Sequence, residues 1–184
     1  MERKLEPLSP PYTVEVESIL TSYPKTQDGY LLKLFRVFAN SVRFLKDKGV
    51  VNLLDEGSPL SIRQRELVIL RVTANLRCEY EWSVHATVFA KAAGLTQDCL
   101  FALKHESSDA SRWSEEESTL LACVDEICEH ATIHDVTYAK FQRYWDLEQQ
   151  LEILALCGNY HTVSFVANTS RLDTEEGFST FPVR

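Results

Sequence analysis

Three capping signatures, Ser61-Ile62-Arg63-Gln64, Ser114-Glu115-Glu116-Glu117 and Asp146-Leu147-Glu148-Gln149, constrain this chain more than any other feature. In each, a side-chain acceptor stands three positions before a Glu or Gln that can reach back to the first backbone N–H, and an apolar stretch of helical period follows. These starts commit the segments behind them to helices. The first runs to about Leu76 and carries Glu66, the second buries Leu120, Leu121, Val124 and Ile127, and the third extends from about Leu147 to Thr169. Six glycines and six prolines in 184 residues are too few for the turns of an all-β fold.

The remaining periodicity fits the same class. A helix is predicted from about Val14 to Tyr23. Another, from Tyr30 to Lys48, places Leu31, Leu34, Phe35, Phe38, Val42 and Leu45 on one side and ends at Gly49. A third spans about Glu79 to Ala93, with Gly94 as its C-terminal cap, and Thr96 caps a short helix holding Leu100, Phe101 and Leu103. Asp135 or Thr137 opens one more, with Tyr138, Phe141 and Trp145 inside. The expectation is an all-α bundle of about seven to eight helices in one domain. Residues 1–29 form an N-terminal extension and first helix, 30–170 the helical core and 171–184 an irregular tail. Pro7, Pro10 and Pro11 suit the extension to wrapping over a surface or a partner subunit.

Charge narrows the partners. A net charge of -8 argues against nucleic acid or an anionic membrane, which need a basic footprint. No signal-peptide core and no run of eighteen apolar residues is present, so the expected location is the cytoplasm. Cys78, Cys99, Cys123, Cys128 and Cys157 are odd in number and lack disulfide-scaffold spacing, which fits reduced thiols. A small-molecule substrate is the expected partner, with an external thiol reductant if the chemistry is redox.

The chemistry concentrates in Cys78-Glu79-Tyr80-Glu81-Trp82-Ser83-Val84-His85. On a helix, Cys78, Glu81 and His85 recur at spacings of three and four and share a face with Trp82 and Phe89, so the polar trio points inward. Glu66 sits in the apolar run Leu67-Val68-Ile69-Leu70, where a carboxylate is costly unless paired or protonated. Two readings stay open for each residue. Cys78, at a helix start beside Arg77, is a thiolate nucleophile or an inert core thiol. Glu66 is a proton relay or the partner of Arg63, Arg71 or a distant lysine. Glu81 and His85 are an acid/base pair or a satisfied core pair. Tyr80 and Trp82 line a pocket or pack in the core. No metal or cofactor is expected, because two-iron bundles repeat Glu-x-x-His on two helices and this chain has one Glu81-x-x-x-His85. Cys157-x-x-x-His161 reads as core packing.

Arg65-Glu66-Leu67-Val68-Ile69-Leu70, Cys78-x-x-Glu81-x-x-x-His85 and Ala92-Ala93-Gly94-Leu95-Thr96 together resemble the carboxymuconolactone decarboxylase family, which includes the AhpD-like alkylhydroperoxidases. The resemblance spans roughly residues 30 to 170, with Leu154-Ala155-Leu156-Cys157-Gly158-Asn159-Tyr160 and Asn168 similar to the family's closing helix. It implies an AhpD-like fold and a trimer or hexamer, for which the helix from Tyr30 to Lys48 offers a contact surface. In the hydroperoxidase branch a glutamate, Cys-x-x-Cys and a histidine four residues on relay protons and cycle a disulfide. Glu66, Cys78 and His85 match these positions, but Glu81 replaces the second cysteine. The decarboxylase branch resembles this chain at Glu81 and His85 and generally lacks the cysteine. The resemblance therefore implies an alkylhydroperoxidase-like, peroxiredoxin-type antioxidant oxidoreductase working through Cys78 with Glu66, Glu81 and His85. The alternatives are a cofactor-free decarboxylase, lyase or isomerase acting on a small carboxylated lactone or acid through Glu81 and His85, and a non-catalytic family member.

Overall fold

All three capping boxes form. In the computed structural model, which describes residues 6–40, 42–46 and 57–183, the side chains of Ser61, Ser114 and Asp146 each accept the backbone N–H three positions on. Gln64, Glu117 and Gln149 return a bond to the N–H of the cap. Among the described residues the chain is all-α, with nine helices and no strand: α1 Val14–Leu20, α2 Lys33–Phe38, α3 Val42–Lys46, α4 Ile62–Asn75, α5 Glu79–Val88, α6 Gln97–His105, α7 Glu115–His130, α8 Asp135–Tyr144 and α9 Leu147–Thr169. They pack into one domain. None is long and apolar enough to cross a membrane.

Helix α4 is the axis of the bundle. Every residue from Glu66 to Ala74 is buried, and the helix packs against α5, α6, α7 and α9. A helix covered on all sides must satisfy each polar side chain inside the protein. Arg71 does so as a clamp. Its Nε and one terminal nitrogen donate to the two carboxylate oxygens of Asp125 on α7 at 2.6 and 2.8 Å, and the other nitrogen donates to the carbonyls of Leu103 and Glu106 at 2.8 and 2.9 Å. One guanidinium thereby fixes α4, α6 and α7 together, which the planar fork of Arg allows and a lysine does not.

Three local expectations are corrected. The single helix expected over 30–48 is instead α2 and α3, separated by a turn at Ala39 and Asn40. The Asn40 side-chain amide donates to the carbonyls of Val37 at 2.9 Å and Glu6 at 2.8 Å, which gives the chain a non-helical solution and ties the N-terminal segment to α2. Counted as one, the pair restores the expected eight. Gly49, expected to end that helix, lies outside the described residues. Helix α5 ends at Val88 rather than at Ala93. Thr87 and Val88 are β-branched and exposed, so packing does not offset their poor helix propensity. The chain turns there, and Gly94 at φ +66° closes the turn with Leu95 N–H donating to the Ala90 carbonyl at 2.9 Å. Tyr138 was expected inside α8 but is 40% exposed, whereas Phe141 and Trp145 are buried. Helix α8 packs chiefly on α7, so its first turn stays at the rim.

After α9, residues 171–183 form no helix. The tail crosses back over α5. Ser179 N–H donates to Thr87 Oγ1, Phe181 N–H donates to the Glu79 carboxylate, and the Phe181 ring lies 5.3 Å from that of Trp82.

Removing the α4 clamp leaves two carbonyls without the Arg71 donor and Asp125 with only the Asn75 amide, which donates at 2.8 Å. Arg71→Ala is expected to lower the unfolding free energy in urea by about 3 kcal/mol or more, and Arg71→Lys to recover less than half of that loss.

Candidate active site

The sequence between α4 and α5 decides what those helices bring together. Thr73 bonds back to the carbonyls of Ile69 and Leu70, and Arg77 takes a left-handed conformation at φ +54°. Cys78 N–H then donates to the Thr73 carbonyl at 2.8 Å, reversing the chain within three residues. Helix α5 therefore runs back along α4, and Glu66 comes to face His85.

His85 Nδ1 and Glu66 Oε2 are 2.8 Å apart, with the two residues 2% and 1% exposed. The other ring nitrogen, Nε2, lies 3.0 Å from the hydroxyl of Tyr160 on α9 and 3.4 Å from Glu81 Oε1. Burial alone would push the imidazole down. The carboxylates of Glu66 and then Glu81 more than reverse that effect and hold the ring up to about 10, so it is an imidazolium at neutral pH. Its Nδ1–H donates to Glu66, and its Nε2–H is left for Tyr160 or Glu81. Burial, reinforced by Glu81 and Glu66, keeps the Tyr160 phenol well above its ordinary value and therefore neutral. Phe89 closes the site with its ring 5.1 Å from that of His85.

Cys78 heads α5 and is fully buried. The helix start and Arg77 were expected to favour a thiolate. Burial outweighs them, and with Glu81 nearby it pushes the thiol up to about 11. The Glu81 backbone N–H and the Ser164 hydroxyl of α9 act in the opposite direction. That hydroxyl is buried and makes no hydrogen bond of normal geometry, so its hold on the sulfur is loose. Resting Cys78 is a thiol.

The structure thus gathers Glu66, Glu81 and His85 in direct contact and places Cys78 beside Glu81. Tyr80 and Trp82 face elsewhere: the Tyr80 hydroxyl donates to Glu175 at 2.7 Å and accepts the Leu34 N–H at 3.2 Å, and Trp82 packs under Phe181. Among the described residues no group of three or more His, Cys, Asp and Glu side chains has the geometry to hold a metal. Cys157 is buried and His161 Nδ1 donates to its carbonyl at 2.7 Å, within α9. Sequence reasoning missed Tyr160 and Ser164 as parts of the site. Their spacing of four sets both on one stripe of α9, a signal that was present, but nothing in it told which helix the stripe would meet.

The comparisons with known proteins agree with this architecture. Residues 48–126 match the model of the carboxymuconolactone decarboxylase family. The matched segment holds Glu66, Cys78, Glu81 and His85 but not Tyr160. No curated protein matches the chain significantly. Among solved structures, it superposes on an uncharacterized peroxidase-related protein from Silicibacter sp. TM1040 with a TM-score of 0.75 at 16% identity, covering 98% of this chain and 97% of that one. It superposes on the apo debrominase Bmp8 with a TM-score of 0.74 at 15% identity, covering 94% and 92%. At such identities the likeness is one of fold.

The charge state of His85 is open to test. A group whose folded pKa is raised stabilises the protein fully below its unfolded value, here 6.5, and loses that contribution as pH rises toward about 10. The stability advantage of the wild type over His85→Gln should therefore shrink between about pH 7 and about pH 8.5, by at most about 1.4 kcal/mol per pH unit. Urea unfolding at several pH values measures it, and an advantage independent of pH would contradict a buried imidazolium.

Proposed function

We propose that the protein is a peroxidase-type oxidoreductase in which Cys78 is the nucleophile and the Glu66–His85–Tyr160 relay supplies the proton. The observation that carries this reading is a buried imidazolium held between two carboxylates and a phenol, on the same helix as a buried thiol. Glu81 takes the thiol proton as a peroxide enters, so that a thiolate exists only when needed. The sulfur forms a bond to the nearer peroxide oxygen as the O–O bond breaks. The leaving oxygen takes the proton from His85, giving an alcohol or water and Cys78 sulfenic acid, and the Glu81 proton restores His85. Glu81 stands where a partner thiol would stand, so two equivalents of an external thiol reduce the sulfenate. The peroxidase-related fold neighbour and the family match support the class of reaction. Reduced, unpaired cysteines suit a cytoplasmic location.

A second reading is favoured by the high resting position of the Cys78 thiol. The relay is complete without sulfur, and it would serve a cofactor-free lyase or isomerase moving protons on a small carboxylated substrate. Cys78→Ser separates the two: it abolishes peroxide consumption under the first reading and leaves acid turnover intact under the second. His85→Ala is expected to slow peroxide consumption by about tenfold to ten-thousandfold, and mass spectrometry after limited peroxide should find a trappable sulfenate on Cys78 alone. A Cys78 as inert as the other four thiols sinks the peroxidase reading.

We also propose that the protein self-associates, with the outer face of α9 joining the 30–48 segment as a candidate contact. Leu151, Leu154 and Phe165 stand exposed at helical spacing on that face, and Gly158 between them has open space around it. Light scattering at micromolar concentration should give a multiple of the 21.1 kDa chain mass, and Leu151→Glu with Phe165→Glu should return it to the monomer. A wild-type monomer refutes this.

A further inference from the structure

Glu175, in the C-terminal tail, is a buried carboxylate that the proposed reaction does not use. Its oxygens accept the Tyr80 hydroxyl at 2.7 Å, the Tyr30 hydroxyl at 3.0 Å and the Lys33 backbone N–H at 3.0 Å, and the Lys33 ammonium stands at 3.4 Å. Burial alone would raise its pKa; these donors reverse the effect and keep it lowered, hence ionised. Two phenols, an amide and an ammonium converging on one point make a receptor for a carboxylate of any origin.

The carboxylate comes from a segment with no regular structure. Besides Glu175, the tail is fastened by separate contacts: Lys33 Nζ to the carbonyls of Asp173 and Thr174, Ser179 to Thr87, Phe181 to Glu79, and the Phe181 ring between Trp82 and the Lys104 ammonium. The indole N–H of Trp82, whose ring Phe181 packs against, is buried without a hydrogen-bond partner. A missing partner there marks a cover imperfectly fitted to the polar groups it hides.

Tyr30 is shared with a second feature. It also lines an open hollow of about 380 Å³ together with Tyr12, Leu31, Lys25 and Arg36. In a chain of net charge -8, the described residues lining this hollow include two cations, Lys25 and Arg36, against the single carboxylate of Glu17. Arg36 also acts on the Tyr30 hydroxyl that holds Glu175. Aromatic and aliphatic walls with a cationic edge suit a flat ring bearing an anionic group.

We propose that Tyr30, Lys33 and Tyr80 form a carboxylate-binding site, occupied in the free protein by Glu175 of its own tail, and that an aromatic carboxylate seated in the adjoining Tyr12–Arg36 hollow displaces the tail from it. Its occupation uncovers the Glu79, Trp82 and Thr87 flank of α5, the helix that carries Cys78 and His85. The proposal goes beyond the peroxidase reading and does not rest on it, since its readouts are binding and exchange rather than turnover.

The test uses the full-length chain, with benzoate as the probe and benzamide as its neutral match. Glu175→Ala should bind benzoate, and bind it more tightly than the wild type does; benzamide should bind neither. Adding Tyr80→Phe should weaken benzoate binding by about tenfold or more. In the wild type, benzoate should speed amide hydrogen exchange across residues 172–183. Equal responses to benzoate and benzamide, no gain on removing Glu175, or indifference to Tyr80→Phe would each overturn the proposal. Glu175→Gln serves in the same comparison if the alanine variant does not fold, and tail exchange unmoved by saturating benzoate in the wild type overturns it without any variant.

Discussion

The interaction on which the rest of the structure depends is the buried contact between Glu66 and His85. Two charges taken from water are tolerated only when they meet each other and their remaining polar atoms find partners. The reversal at Arg77 meets that requirement by setting α5 back along α4, and Tyr160 of α9 stands at the outer nitrogen of the ring. The fold and the site are therefore the same arrangement of helices. Arg71, five residues beyond Glu66 on the same buried helix, applies the rule on another flank, where Asp125 and two carbonyls complete its hydrogen bonds.

Chemically, a carboxylate at Glu81, where the resemblance to the hydroperoxidases implies a partner thiol, changes what the site can do. A dithiol site stores oxidising equivalents as a disulfide, whereas a carboxylate at that position stores a proton. It also adds to the burial that opposes ionisation of Cys78 and to the Glu66 carboxylate that sustains that of His85. Under the proposed reaction the acid is ready before the substrate arrives and the nucleophile is not. That order limits exposure of a thiolate to adventitious oxidants.

Much of the fold was legible because its determinants are local. Ser61, Ser114 and Asp146 announce their helices through neighbours three positions away, and Thr96 marks a start in the same manner. The misreadings arose where a non-local or competing interaction won. Asn40 broke a strongly periodic stretch by bonding to Val37 and to Glu6, a residue 34 positions away. For Tyr80 and Trp82 the sequence left pocket and core both open, and it is the chain's own tail that covers them, through Glu175 and Phe181.

By itself, then, the sequence determined the all-α class, most helix starts and the inward direction of Glu66, Cys78, Glu81 and His85, because caps and helical periodicity act over three to four residues. Tertiary structure decided which groups those residues meet. Tyr160 and Ser164 join the site only because α9 packs along α4 and α5, and no spacing along the chain encodes that contact. It also decided the ionisation states. Whether a thiol or an imidazole is charged depends on the water removed and the charges brought near in three dimensions; here burial keeps Cys78 neutral, and two carboxylates keep His85 charged.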